Sequence, residues 1–320
     1  MTIVGALYTY PVKSCAGLSL NDSVLTGAGL AHDRSFMVIG PDGAFRSQRR
    51  DPRMALIRPD IDGDGGRLTL RAPGTDDLDV PVCLAAARRQ VTLFGHPYLG
   101  IDQGDEPAAW LTSVLRVACR LVRVPPEQDR VTAGWIPGTA GYADSGAVHA
   151  ISGATLDELN RRLGAARVPV SRFRPNIVIE GWTEPHLEDQ VRSIVVGNAQ
   201  LGFAKLAIRC AIPMVDQRTG TKAGPEPIRT LASYRRASSG GIAFGVKLSV
   251  LRPGKLTVGD ELNVISWAGS ASGTLRRPGQ RGGGSGSGRL WRKRMTESPF
   301  RQAVASLVRP SLRSNAAGLR

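Results

Sequence analysis

The sequence predicts an α+β protein rich in β-barrel structure. Short strand-like runs outnumber helical ones, Gly, Pro and Asp turns separate them, and no regular alternation of strand and helix appears. With 320 residues, 42% of them hydrophobic, the chain is long enough for one large domain or two of ordinary size. Composition and turn signals divide it into residues 1–125, residues 126–266 and a Gly/Ser-rich basic tail at 267–320, expected to be disordered.

In the first segment, strands are predicted at Ile3 to Tyr10, Ser35 to Ile39, Arg67 to Arg71 and Gln90 to Phe94, each short and apolar or alternating. A helix over Asp105 to Leu115 interrupts them. It has an acidic start, Pro107 in its first turn, and Trp110, Leu111, Val114 and Leu115 on one face. Cys119 to Val124 alternates like a strand, and Gly134 to Gly146 reads as a boundary or long loop.

The second segment opens with a helix capped by Ser152, striped by Leu156, Leu159 and Leu163, and stopped by Gly164. Strands follow at Asn176 to Glu180, Val191 to Val196, Leu201 to Cys210, Ile242 to Leu251 and Glu261 to Ile265, with a short helix around Glu226 to Tyr234. In the tail, Ser298-Pro299 opens a possible helix bearing Phe300, Val304, Leu307 and Val308.

The net charge of +15 is unevenly placed: residues 269–320 hold eleven Lys and Arg against Glu297 alone, or +10, leaving +5 for the first 268 residues. A mildly basic body calls for a small anionic ligand at most, and only the tail hints at nucleic acid or an anionic surface. More often such a tail is a solvated appendage. Cys15, Cys83, Cys119 and Cys210 are scattered with no C-x-x-C pair, which argues against a disulfide framework and for a reducing, cytoplasmic setting. Neither a secretory signal nor an apolar run near the ~18 residues of a membrane span is found.

Cys210 is the candidate with most chemistry. It follows Arg209, ends an alternating run and precedes the Pro213 turn. A cation beside a thiol favours the thiolate, a soft metal ligand or nucleophile. On local chemistry alone the commoner reading is one more small buried hydrophobe.

The run Arg209 to Arg235 resembles the cysteine-bearing signature of the MOSC domain, the C-terminal domain of molybdenum cofactor sulfurases. Tyr10-Pro11-Val12-Lys13-Ser14-Cys15-Ala16-Gly17, followed by Gly29-Leu30 and Asp33-Arg34, is similar to the MOSC N-terminal β-barrel domain. Phe173-Arg174-Pro175-Asn176, and Phe244-Gly245-Val246 with Val258-Gly259-Asp260, match in the same order. The branch with both domains includes the amidoxime-reducing components and bacterial relatives.

The resemblance implies a molybdenum–molybdopterin cofactor with Cys210 as the metal's protein ligand. It also implies that Lys13, Ser14, Arg34, Ser145, Arg174, Asn176 and Arg209 hold the cofactor, whose phosphate suits guanidinium forks and hydroxyls. Asp216, six residues past the cysteine, either relays protons in catalysis or holds the turn before Thr219-Gly220. Met214 departs from the family's usual threonine, and Ala207-Ile208 replaces a more polar approach, which implies a more apolar pocket.

The implied activity is reduction of N-hydroxylated or N-oxidised compounds. The C-x₄-C-x₂-C spacing of a fused ferredoxin domain is absent, so electrons come from a separate flavoprotein or ferredoxin-type partner. The alternative is sulfur transfer, with a Cys210 persulfide loaded by a pyridoxal-phosphate-dependent cysteine desulfurase.

Overall fold

The computed structural model describes residues 1–269, so the expected helix after Ser298 and the tail's binding role lie outside the described residues. The architecture is α+β and barrel-rich, built around an eight-stranded sheet. Its strands run in the order Leu18–Leu20, Ile3–Thr9, Ile177–Glu180, Val148–Ser152, Ala243–Arg252, Ala199–Ile208, Val191–Val196 and Leu262–Trp267. Smaller sheets surround it, among them a four-stranded one built on Phe36–Ile39 and a three-stranded one that pairs Asp22–Thr26 with Gly254–Thr257.

The main sheet draws on both ends of the described residues. Ile3–Thr9 pairs antiparallel with Ile177–Glu180, Ile3 opposite Glu180 and Leu7 opposite Ile177. This pairing carries the segment after Thr9, with Lys13 and Ser14, beside the one before Ile177, with Arg174 and Asn176. Val4, Leu7, Ile177, Ile179, Val246 and Leu248 share one buried cluster beneath it. Burying each such side chain stabilises by about 1.5–3 kcal/mol before ordering costs, enough to hold the register.

Helices form where caps and stripes agree. Asp105–Leu115 (α1) begins after Gly104, ends at left-handed Arg116, and buries Trp110 and Leu111. Gly153–Leu163 (α2) is capped by Ser152, whose hydroxyl accepts from Thr155 N at 3.2 Å, a contact worth about 1 kcal/mol. Leu159 packs with Phe173, Phe244 and Leu231, the last from the short helix Ile228–Tyr234 (α3).

Two expectations need correction. Gly134 to Gly146 is not one loop, because Gly138–Thr139 within it pairs with Val131–Thr132 just before it to form a ribbon. Val148–Ser152, unassigned from sequence, is a central strand buried along its whole length. It runs parallel to Ile177–Glu180 and α2 links the two, making one βαβ unit in a largely antiparallel sheet. A five-residue run buried on both faces shows no alternation, and the Gly-rich stretch before it hid its start.

Candidate functional site

One cleft gathers Lys13, Ser14, Arg34, Ser145, Arg174, Asn176, Arg209 and Cys210. His149 and Lys247 complete its charged and polar wall, and Ile208 and Ile212 its apolar part. Cys210 is free and partly exposed. Three cleft residues that are not glycine hold left-handed backbone: Ser14 (φ 66°), Arg34 (φ 48°) and Arg174 (φ 57°). Such strain persists only where surrounding contacts over-determine it, and it concentrates at binding sites.

The contacts here are specific. Tyr10 lies between two guanidinium groups, with Arg34 4.1 Å and Arg174 4.2 Å from its ring centre. The aromatic faces offset part of the repulsion between the like charges. Gly17 makes room for the ring, since a Cβ there would sit 2.4 Å from Tyr10. Asp33 accepts from Arg34 at 2.7 and 2.8 Å and from Tyr10 N at 2.9 Å. Asn176 accepts from Arg34 at 3.2 Å and His149 N at 3.1 Å while donating to Tyr8 O. Its amide is thus engaged in setting Arg34.

Lys13 is buried, donates to Tyr142 O at 2.9 Å and pairs with half-exposed Asp144. Arg209 donates to Phe173 O at 2.8 Å and lies 3.3 Å from His149 Nε2.

The electrostatics of the cleft favour an anion. Lys13, Arg34, Arg174, Arg209 and Lys247 share a wall to which Asp144 is the one carboxylate contributor. Burial, then the Arg34 and Arg209 charges, push Lys247 down to about 7. Burial, then Arg34, bring Arg174 to about 10. Burial also lowers Lys13, outweighing its carboxylate partner. Burial tends to raise the Asp144 carboxyl, but Lys13, Lys247 and Arg34 together hold it well below the usual range. His149 lies well below its ordinary value, through burial and then Lys247 and Arg209, and is neutral. Arg174 Nη2 and Arg209 Nε are buried without a hydrogen-bond partner. Unmet guanidinium donors among crowded cations call for an acceptor-rich anion.

Asp216 lies apart from this wall. It accepts from Arg218 N and Thr219 N at 2.8 and 3.0 Å, and from Arg172 at 3.1 Å. Arg172 also donates to Pro213 O at 3.0 Å, so the pair ties down the chain just past Cys210. These are the contacts of the turn-holding alternative. Met214 is likewise outside the lining; the apolar contribution comes from Ile208 and Ile212.

Sequence reasoning passed over Lys247 and His149. Lys247 did leave a signal, as the lone charge within the buried run Ala243 to Val250. It stands opposite His149 in the register, and Gly245 beside it (φ 75°) is so close that a Cβ would meet His149 Nε2 at 2.9 Å.

The chain is similar to known proteins along most of its length. Residues 1–118 match the MOSC N-terminal beta barrel domain and residues 137–263 the MOSC domain. The mouse mitochondrial amidoxime-reducing component 1 is 32% identical over 282 residues, covering 82% of each chain. Rat mitochondrial amidoxime reducing component 2 is 34% identical over 279 residues, covering 80% of this chain and 81% of that one. The molybdenum cofactor sulfurase of Oryza sativa subsp. japonica is 30% identical over 265 residues, which cover 76% of this chain and 32% of that much longer protein. The chain belongs to the MOSC family, in the branch that joins a MOSC N-terminal β-barrel domain to a MOSC domain and includes the amidoxime-reducing components.

Proposed function

We propose that the chain binds a molybdenum–molybdopterin cofactor in the cationic cleft, with Cys210 as the metal's protein ligand, and reduces N-hydroxylated or N-oxidised compounds. The observation that carries this reading is the meeting of five cations with a partly exposed thiol, two buried guanidinium nitrogens being unpartnered. The donor set fits such a group. Arginine forks and Lys13 suit a phosphate, Ser14 and Ser145 add hydroxyls, and a single soft sulfur leaves metal positions open. Among the described residues no three His, Cys, Asp or Glu side chains gather to hold a metal ion, so a metal here would arrive with ligands of its own.

In this reading residues 1–125 supply Lys13, Ser14 and Arg34, and residues 126–266 supply Ser145, Arg174, Asn176, Arg209 and Cys210. Once bound, the cofactor would supply two-electron redox chemistry. Arg34 and Arg174, spaced by Tyr10 and set by Asp33 and Asn176, orient it. Lys13 would share its charge between Asp144 and the bound anion, which would also hold Lys247 protonated. Ile208 and Ile212 keep one side of the cleft apolar. Converting N–OH to N–H and water takes two protons and two electrons. The electrons come from a separate flavoprotein or ferredoxin-type protein, and the four free cysteines accord with a reducing, cytoplasmic setting.

Expressed in a cofactor-competent host, the full chain should carry about one molybdenum per chain. Cys210→Ala should carry almost none, and a metal-free wild type from that host overturns the reading. The sulfurase relative supports a second reading, in which Cys210 carries sulfur as a persulfide. Intact-mass spectrometry after incubation with a cysteine desulfurase decides it, since an unmodified Cys210 removes sulfur transfer.

A further inference from the structure

A second cavity, of about 240 Å³, backs onto the cleft without belonging to it. Its walls come from the turn around Thr26 and Leu30, from His32 and Asp33, and from the segment Arg123 to Gly141. It is large enough for a small organic molecule.

Its polar groups are mismatched in one direction. Arg123 is partly buried and ion-paired with no carboxylate among the described residues. Its guanidinium donates to Val124 O at a long 3.3 Å, and its Nε is buried without a partner. Gln128 lines the same cavity, and its Nε2 is also buried and unpartnered. Both are donors, so what is missing is an acceptor. Burial lowers Arg123, as expected of a cation without a counter-ion. Asp33 is already neutralised by Arg34, and Asp129 is exposed. Leu30, Pro125, Pro126 and Ala140 give the rest of the wall an apolar character.

The cavity is joined to the cleft by residues that serve both. Asp33 faces the cavity and holds Arg34 in the cleft. Arg130 faces the cavity and donates to Gly141 O at 2.9 Å, Ala143 O at 2.6 Å and Asp144 O at 2.9 Å, fixing the loop that forms the cleft's wall.

We infer that this cavity is a second ligand site, taking a small carboxylate with an apolar body. The carboxylate meets Arg123 and Gln128, and the apolar part lies against Leu30 and the Pro125–Pro126 pair. Charge-assisted bonds to a guanidinium and packing on proline give a site of modest, millimolar strength. Asp33 and Arg130 tie the wall of this site to the cleft.

Isothermal titration calorimetry of the full-length protein with benzoate tests this, with acetate and inorganic phosphate as comparison probes. Benzoate is expected to bind with a millimolar Kd and more tightly than acetate. Arg123→Met and Gln128→Leu should each weaken it about tenfold, and Gln128→Leu, in an irregular segment, serves if the arginine variant fails to fold. Arg209→Met, a change in the cleft, should leave benzoate binding intact. Absence of benzoate binding overturns the inference. So does loss in Arg209→Met with retention in the other two variants, which would place benzoate in the cleft. These outcomes are independent of molybdenum content, so failure here leaves the cofactor reading standing.

Discussion

Two buried polar regions of the molecule behave oppositely. Under α2, the carboxylate of Glu188 is fully buried and accepts from Ser152 N at 3.2 Å, Ser152 Oγ at 2.9 Å and Thr155 Oγ1 at 2.9 Å. Burial raises its carboxyl, and these bonds oppose the rise. In the cleft, cations crowd together and Arg174 Nη2 and Arg209 Nε go unmet. A saturated network stabilises the fold, whereas an unsaturated one with an excess of one sign suits a partner of the opposite sign.

The largest effect should come from the saturated region. Glu188→Ala leaves three donors without their acceptor and should cost about 3 kcal/mol. Thermal unfolding should show a Tm lower by roughly 6–12 °C, with phosphate affinity of the cleft unchanged. A parallel loss of phosphate binding would break the contrast between the regions.

Arg209→Met should do the reverse. Calorimetric phosphate affinity should fall about tenfold, the worth of one charge-assisted bond, while stability changes by less than about 1 kcal/mol. A large loss of stability with unchanged phosphate affinity would make Arg209 a structural residue.

A smaller effect concerns Lys247. Its folded-state pKa of about 7 lies below the ordinary 10.5, so the unfolded chain binds more protons between those values and stability falls as pH drops from 10.5 to 7. Lys247→Met should therefore raise the neutral-pH Tm of the unliganded protein by ~2–4 °C, with little gain near pH 10.5. Phosphate binding at pH 8 should take up protons in wild type, read from the buffer dependence of the binding heat, and less in the variant. A gain independent of pH would assign the effect to packing instead of charge.

How much of this was legible follows residue by residue. The helix bounds were readable because Ser152 caps and Gly164 stops α2, while α1 has an acidic start and a compact apolar face. Local signals suffice there. Strand Val148–Ser152 was not readable, because burial on both faces erases the period-two pattern. The cleft was legible through motif resemblance, which singled out residues as far apart as Lys13 and Cys210. Local chemistry alone left Cys210 undecided. Lys247 was missed and no role was claimed for His149, because their importance comes from register, one opposite the other across two strands. Asp216 was left between two roles because an aspartate before a turn has the same neighbours in sequence whichever it plays.

Molybdenum and pterin determined together on one preparation, from a host that makes the cofactor, test the central claim most directly. The account predicts about one of each per wild-type chain, loss of molybdenum in Cys210→Ala, and loss of both when Arg174 and Arg209 are replaced by Met. Wild-type protein with neither, or a Cys210→Ala variant that keeps its full molybdenum, would contradict it.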